Sequence, residues 1–198
     1  MTYALLISVR FHDGRYHGAG NWPPSPARLF QALVAATAEP VLSGANRDAL
    51  EWLERQVAPT IAAPAAHLGQ HVSLFVPNND LDAKGGDVRR VGEIRKATKH
   101  IRPRLFDAAV PLLYVWRIDA QGTQSADCVC RIAEGLYQLG RGVDMAWAVG
   151  EVLDESDAKA RLAEYPGAIY RPSSGGGGVK LACPEEDSLT SLEDRYKA

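Results

Sequence analysis

The order of its apolar segments constrains this chain most. Residues 3–10 (YALLISVR), 71–76 (HVSLFV), 111–118 (PLLYVWRI) and 143–152 (VDMAWAVGEV) are dense in apolar and β-branched side chains and read as strands. Between the first two lies a stretch with helix punctuation. Ser25 is placed as an N-cap and Pro26 sits at the first helical position, where its missing N–H does no harm. Leu29, Phe30, Leu33, Val34 and Thr37 follow at helical spacing, and Pro40 stops the run. A second helix is predicted over 46–57. Residues 58–70, with Pro59, Pro64 and several alanines, read as a connector. Residues 127–139 (DCVCRIAEGLYQL) form the helix before the last strand, with Gly140 as its C-terminal cap.

Strand, helix, strand, strand, helix, strand is the split βαβ pattern of an α+β, ferredoxin-like (RRM-like) unit. In such a unit the second and third strands are usually joined by a hairpin. Here residues 77–110 separate them, with no sustained periodicity, which is too long for an idle loop. The expected organisation is a ferredoxin-like palm over 1–153, with a thumb inserted at about 77–110. An extension over 154–198 follows, with a short helix, a glycine-rich loop and the opening of another helix (SLTSLEDRY, 188–196). That opening has no stop signal, as expected of the first part of a longer protein.

Charge singles out the thumb. Residues 89–104 hold seven of the 22 Lys and Arg and one of the 24 acids, which leaves 15 basic against 23 acidic residues elsewhere. A cationic segment on an acidic body is the footprint of an element that meets a polyanion. Arg89, Arg90, Arg95, Lys96, Lys99, Arg102 and Arg104 are candidates to pair with phosphates, and His100 adds a donor or a stacking face. The alternative is a solvated charged loop.

A second candidate site is the loop Gly14-Arg15-Tyr16-His17 leading to Trp22 and the first helix, whose N-terminus could attract phosphate through free N–H groups. Arg15, Tyr16, His17, Trp22 and Arg28 supply charge and ring faces there. The alternative is a packed β–α loop, with Trp22 beside Pro23 and Pro24 bracing the helix. His17 is a candidate acid/base for RNA cleavage, but the sequence identifies no second catalytic group. Arg141, in Leu-Gly-Arg-Gly-Val-Asp (139–144), is a further contact candidate. The Gly175–Gly178 run, flanked by Arg171 and Lys180, fits a backbone nest for phosphate as readily as a flexible linker. Three cysteines, Cys128, Cys130 and Cys183, make a poor zinc pattern and read as reduced thiols of a cytoplasmic protein. No apolar run reaches the ~20 residues of a membrane span, and no metal or cofactor is expected.

Taken together, G-R-Y-H (14–17), W-P-P-S-P-A-R-L-F-Q-A-L-V-A-A (22–36), L-G-R-G-V-D-M-A-W (139–147), Y-R-P-S-S-G-G-G-G (170–178) and S-L-T-S-L-E-D-R-Y (188–196) resemble one family. It is the RAMP-superfamily protein of type I-G (formerly I-U) CRISPR systems, in which the fifth Cas family is fused to the sixth. The resemblance is to its N-terminal half. It implies a palm with a thumb, contacts to the 5′ handle of the crRNA, and neighbours among the backbone and large subunits of Cascade. Target DNA would be met only through that complex. The processing endoribonuclease belongs to the second half of such a fusion. Two rival expectations are a metal-independent endoribonuclease using His17 and an interaction module that shares only the fold.

Overall fold

The computed structural model describes residues 2–18, 20–38, 42, 44–77, 89, 96–173, 175 and 177–197. In chain order the elements are β1 (Tyr3–Phe11), β2 (Arg15–Tyr16), α1 (Pro26–Ala36), α2 (Gly44–Glu54), β3 (Thr60–Ala63) and β4 (Ala66–Leu68). There follow β5 (Val72–Pro77), β6 (Lys96–Ile101), β7 (Arg104–Phe106), β8 (Leu112–Ile118) and α3 (Thr123–Glu134). The last are β9 (Ala146–Asp154), α4 (Glu155–Ala163), β10 (Ala168–Tyr170) and α5 (Ser188–Lys197).

One sheet runs β10-β3-β8-β1-β9, with every neighbouring pair antiparallel. Without β10 this is the arrangement of the split βαβ unit, and the fold is α+β as the element order predicts. The central strand β1 shows why residues 3–10 are so uniformly apolar. Leu5, Ile7, Val9 and Phe11 join the core beneath α1, α2 and α3, while Ala4 and Leu6 join a second cluster with Ala158 of α4. A strand covered on both faces needs no alternation. The Ser25 hydroxyl accepts from the Arg28 N–H at 3.2 Å, so the cap of α1 is where the sequence places it. At Gly150 a side chain would stand 2.5 Å from the Cα of Cys130, so this glycine lets α3 lie close on β9.

Three expectations are corrected. The second palm strand is β3, inside the stretch read as a connector. The strand containing Ser73 pairs instead with β6, in a separate hairpin with Val72 opposite Ile101 and Pro77 opposite Lys96. In Thr-Ile-Ala-Ala only the first two residues favour a strand, but Ile61, Ala62 and Ala63 are buried between layers and the packing decides. The insertion between the second and third palm strands therefore occupies 64–111, and it contains β4, β5, β6 and β7. Finally, α3 ends at Glu134 and Gly135 follows it, because Leu136 and Leu139 turn inward to the core. Gly140 lies in a later turn at φ 129°.

The small sheet β2-β7-β4 attaches the insertion to the palm. Trp22 is the bolt. Its ring lies 4.7 Å from Phe106 and 5.8 Å from Tyr16, and its Nε1 donates to Pro64 O at 3.1 Å. After β9, α4 covers the second face of the sheet and β10 extends its edge. The buried carboxylate of Glu54 accepts the N–H groups of Asp187 and Leu189, which fixes the start of α5 against α2. Arg47 spans Glu51 and Glu193 across the same contact. Among the described residues, no helix is long and apolar enough to cross a membrane.

Candidate functional site

Two loops far apart in sequence are tied together by one carboxylate. Asp144 is 1% exposed, and it receives three donors. His17 N–H reaches its Oδ1 at 2.8 Å, and the His17 Nδ1 approaches the same oxygen at 2.8 Å. Arg141 N–H reaches its Oδ2 at 2.7 Å. The turn is closed by Asp144 N–H donating to Arg141 O at 2.8 Å and by Leu139 N–H donating to Asp144 O at 3.0 Å. Gly140 is required here. Its positive φ is one reason, and a side chain at this position would collide with the Asp144 carboxylate.

With its proton on Nδ1, the His17 ring donates to Asp144 and leaves Nε2 as its remaining polar atom. A buried carboxylate behind an imidazole fixes the tautomer and orientation of the ring. The His17 side chain stays one-fifth exposed. Beside it lies Tyr16, whose hydroxyl is pushed above its ordinary range chiefly by burial; Arg28 and Arg141 oppose that shift and Asp144 adds to it. The His17 N–H, the His17 ring and the Arg141 N–H thus meet on one carboxylate at the seam of β2 and the 139–145 turn, while the Arg28 guanidinium donates to Gln31 at 3.1 Å. The part-exposed His17 ring can bond a polar ligand atom or move a proton.

The first helix does not contribute as its sequence implies. Ala27 N–H donates to Ala182 O at 2.9 Å and Arg28 N–H to the Ser25 hydroxyl, so those first-turn donors are taken by protein. Two ring candidates are likewise corrected. Trp22 and Tyr16 are 7% and 2% exposed, with their faces packed on each other and on Phe106 and Phe11, so neither offers a stacking surface.

The other candidates fall into separate groups. Arg15 is exposed and lies 3.8 Å from Asp13. Arg104 sits in β7 opposite Tyr16. Arg102 donates to Gly69 O at 3.0 Å, and His100 meets the Ser73 hydroxyl at 3.0 Å. Lys96 and Lys99 belong to β6, and Arg89 is exposed. Arg90 and Arg95 lie outside the described residues. Arg171 and Lys180 line a cavity of about 700 Å³ with Pro26, Tyr170 and the glycine run.

A palm with a basic-rich insertion is an architecture open to many functions, and comparison with known proteins narrows it. The family model described as CRISPR-associated protein, GSU0054 family, matches residues 2–198. The chain belongs to that family. Membership gives this GSU0054-family protein a role in CRISPR defence, among other CRISPR components. A solved structure, the crystal structure of a CRISPR protein from Archaeoglobus fulgidus, is similar with 12% identity and a TM-score of 0.39. The match covers 76% of this chain and 63% of that one. No curated protein sequence matches.

Sequence reasoning on the GSU0054-family chain missed Asp144, although it lies inside the quoted L-G-R-G-V-D block. The available signal was an acid three residues after Arg141, in a glycine-bearing turn just before a strand. It also passed over His71, whose ring stacks on that of His100 with centroids 5.3 Å apart.

Proposed function

We propose that this protein is the guide-RNA-binding subunit of a type I-G Cascade, capping the 5′ handle of the crRNA. On this reading it is the first part of a fusion whose second part processes the transcript. The observation that carries the reading is the convergence of His17 and the Arg141 backbone on Asp144, at the root of an insertion rich in arginine and lysine. An imidazole with arginines in the neighbouring sequence suits a phosphodiester, because Arg forks onto two phosphate oxygens. The insertion then follows the RNA backbone with sequence-independent contacts.

Neighbouring subunits of the complex have a surface to use. Met145, just before β9, and Trp147 and Val149 within it are exposed, and Arg10 stands over the Trp147 ring at 6.0 Å. Exposed aromatic, Met and Arg groups are the usual make-up of an interface core. Target DNA is met through the complex alone.

The test is a filter-binding titration of labelled repeat RNA over a range of salt. Replacing Arg95, Lys96, Lys99 and Arg102 by Ala is expected to weaken binding and to flatten its salt dependence by about one unit of slope per lost phosphate contact. Unchanged affinity and slope would refute the reading. A purified complex whose absorbance ratio is that of protein alone would favour an interaction module instead.

One observation favours a second reading. The bond from His17 to Asp144 supplies the orienting partner that a cleaving imidazole needs. As an endoribonuclease the chain would cut repeat RNA at one position in EDTA, and His17→Ala would abolish the cut. An uncut RNA leaves binding as the function.

A further inference from the structure

Strand pairing sorts the insertion into two faces. Arg15 pairs with Leu105, and Leu105 with His67, so these three form one row across β2, β7 and β4. The adjacent row contains Tyr16, which is buried among Phe11 and Trp22 and marks the inner face. Side chains alternate along a strand, so the Arg15–Leu105–His67 row lies on the outer face. Leu105 and His67 also line a cavity of about 510 Å³ at the base of the β5–β6 hairpin, with Leu68, Gly69, Gln70, His71 and Arg102. It is a shallow depression open to solvent, which suits a nucleotide laid across the surface.

The cavity is held in place by backbone bonds. Gly69 N–H donates to Pro103 O at 2.8 Å, and Arg102 Nε donates to Gly69 O. Gly69 itself is buried, and a Cβ there would stand 3.1 Å from Leu105 and Pro103 side-chain carbons. At the rim, His71 and His100 stack with their ring planes 27° apart, and the Ser73 hydroxyl orients His100. The described lining holds a guanidinium, two imidazoles and an amide, and no carboxylate. On a chain with more acids than bases, a pocket of that make-up selects an anion. The flat imidazoles add faces on which a base can stack, and Gln70 adds a donor and an acceptor for a base edge. Asp13, 3.8 Å from Arg15, holds it only loosely, since both side chains are more than half exposed.

We infer that the outer face of the small sheet and this pocket form a binding site for one nucleotide of a single-stranded RNA, with phosphate on Arg102 and Arg15 and base against His71 and His67. The site rests on the guide-RNA reading and extends it. It lies on a different face from the Asp144 spot, and its principal base contacts, His67, Gln70 and His71, lie outside the arginine and lysine cluster. The RNA is thus read at two places, one on the palm and one on the outer side of the insertion.

The test uses the full chain with labelled histidines and a ten-nucleotide single-stranded RNA matching the 5′ handle of the crRNA. The ring C–H resonances of His67, His71 and His100 are expected to shift on titration, while exposed His12 stays in place. The double substitution His67→Ala, His71→Ala is expected to raise Kd about tenfold, the scale of one lost base–aromatic stack. Both rings are exposed, so an unchanged melting temperature serves as the folding control. If the parent binds RNA and His17→Ala with Arg141→Ala weakens it, but the double variant binds as the parent does, the pocket is refuted and the guide-RNA reading stands. If the parent binds no RNA, both fall. Resonance shifts on adding the neighbouring protein subunits, but not RNA, would also overturn the site.

Discussion

The palm and its insertion are built on opposite economies of burial. In the palm, Leu5, Leu6 and Ile7 of the central strand are all inaccessible to water, and three helices close over one face. In the insertion, Leu68 and Val72 stand exposed, and attachment depends on a few contacts at its base, Trp22 with Phe106 and Pro64 foremost. The difference separates two jobs. A palm made rigid by apolar area can carry an arm whose sequence is rich in arginine and lysine, because the arm need not supply much of its own stability. Ligand-binding elements drawn from the less buried part of a fold are the general pattern.

That contrast can be broken most severely at the bolt. Trp22→Ala should cost about 3–5 kcal/mol, the range for truncating a buried aromatic, measured by urea denaturation. A loss below about 1 kcal/mol would mean that the insertion is not anchored there. The next effect belongs to Asp144. Asp144→Ala strands the His17 and Arg141 N–H donors and should cost about 1–3 kcal/mol. RNA affinity should fall beyond what the stability loss explains, since His17 is no longer oriented.

A milder effect should appear at high pH, and it belongs to the palm. Burial, helped by Asp127 and Glu151, pushes the Cys130 thiol from 9.0 up to about 11, and burial likewise raises the hydroxyls of Tyr114 and Tyr16. In the unfolded chain these groups lose their protons first, so the native state binds more protons and stability falls as pH rises. Melting temperature should be level below pH 9 and decline toward pH 11. Cys130→Ala should remove part of that decline; an identical decline in the variant would contradict the assignment. The smallest effects are expected on the arm. Arg15→Ala and His71→Ala should each change stability by less than about 0.5 kcal/mol, as exposed positions do, while both weaken RNA binding.

Much of the palm was legible in the sequence because its signals are local and agree with one another. Ser25 and Pro26 announce α1, and the density of residues 3–10 announces a central strand. β3 was not legible, because Thr60–Ala63 becomes a strand only through tertiary burial of small side chains. The end of α3 failed for a related reason. Gly135 and Gly140 both suit a helix stop, and the choice is made by where Leu136 and Leu139 find the core. At the candidate site, His17 and Arg141 stood out as chemistry-bearing residues in short motifs. Their meeting at Asp144 depends on a contact 127 residues apart in sequence, which no spacing rule encodes. Trp22 and Tyr16 look like stacking residues in a loop, but their rings are used up inside the protein.

The most direct measurement is ultraviolet crosslinking of the native complex, followed by mass spectrometry of the RNA-bearing peptides. Crosslinks should concentrate on the peptides around His17, around Arg141 and across the insertion from His67 to Arg104. Crosslinks confined to α4 and α5, or none on this chain while its neighbours are labelled, would contradict the account.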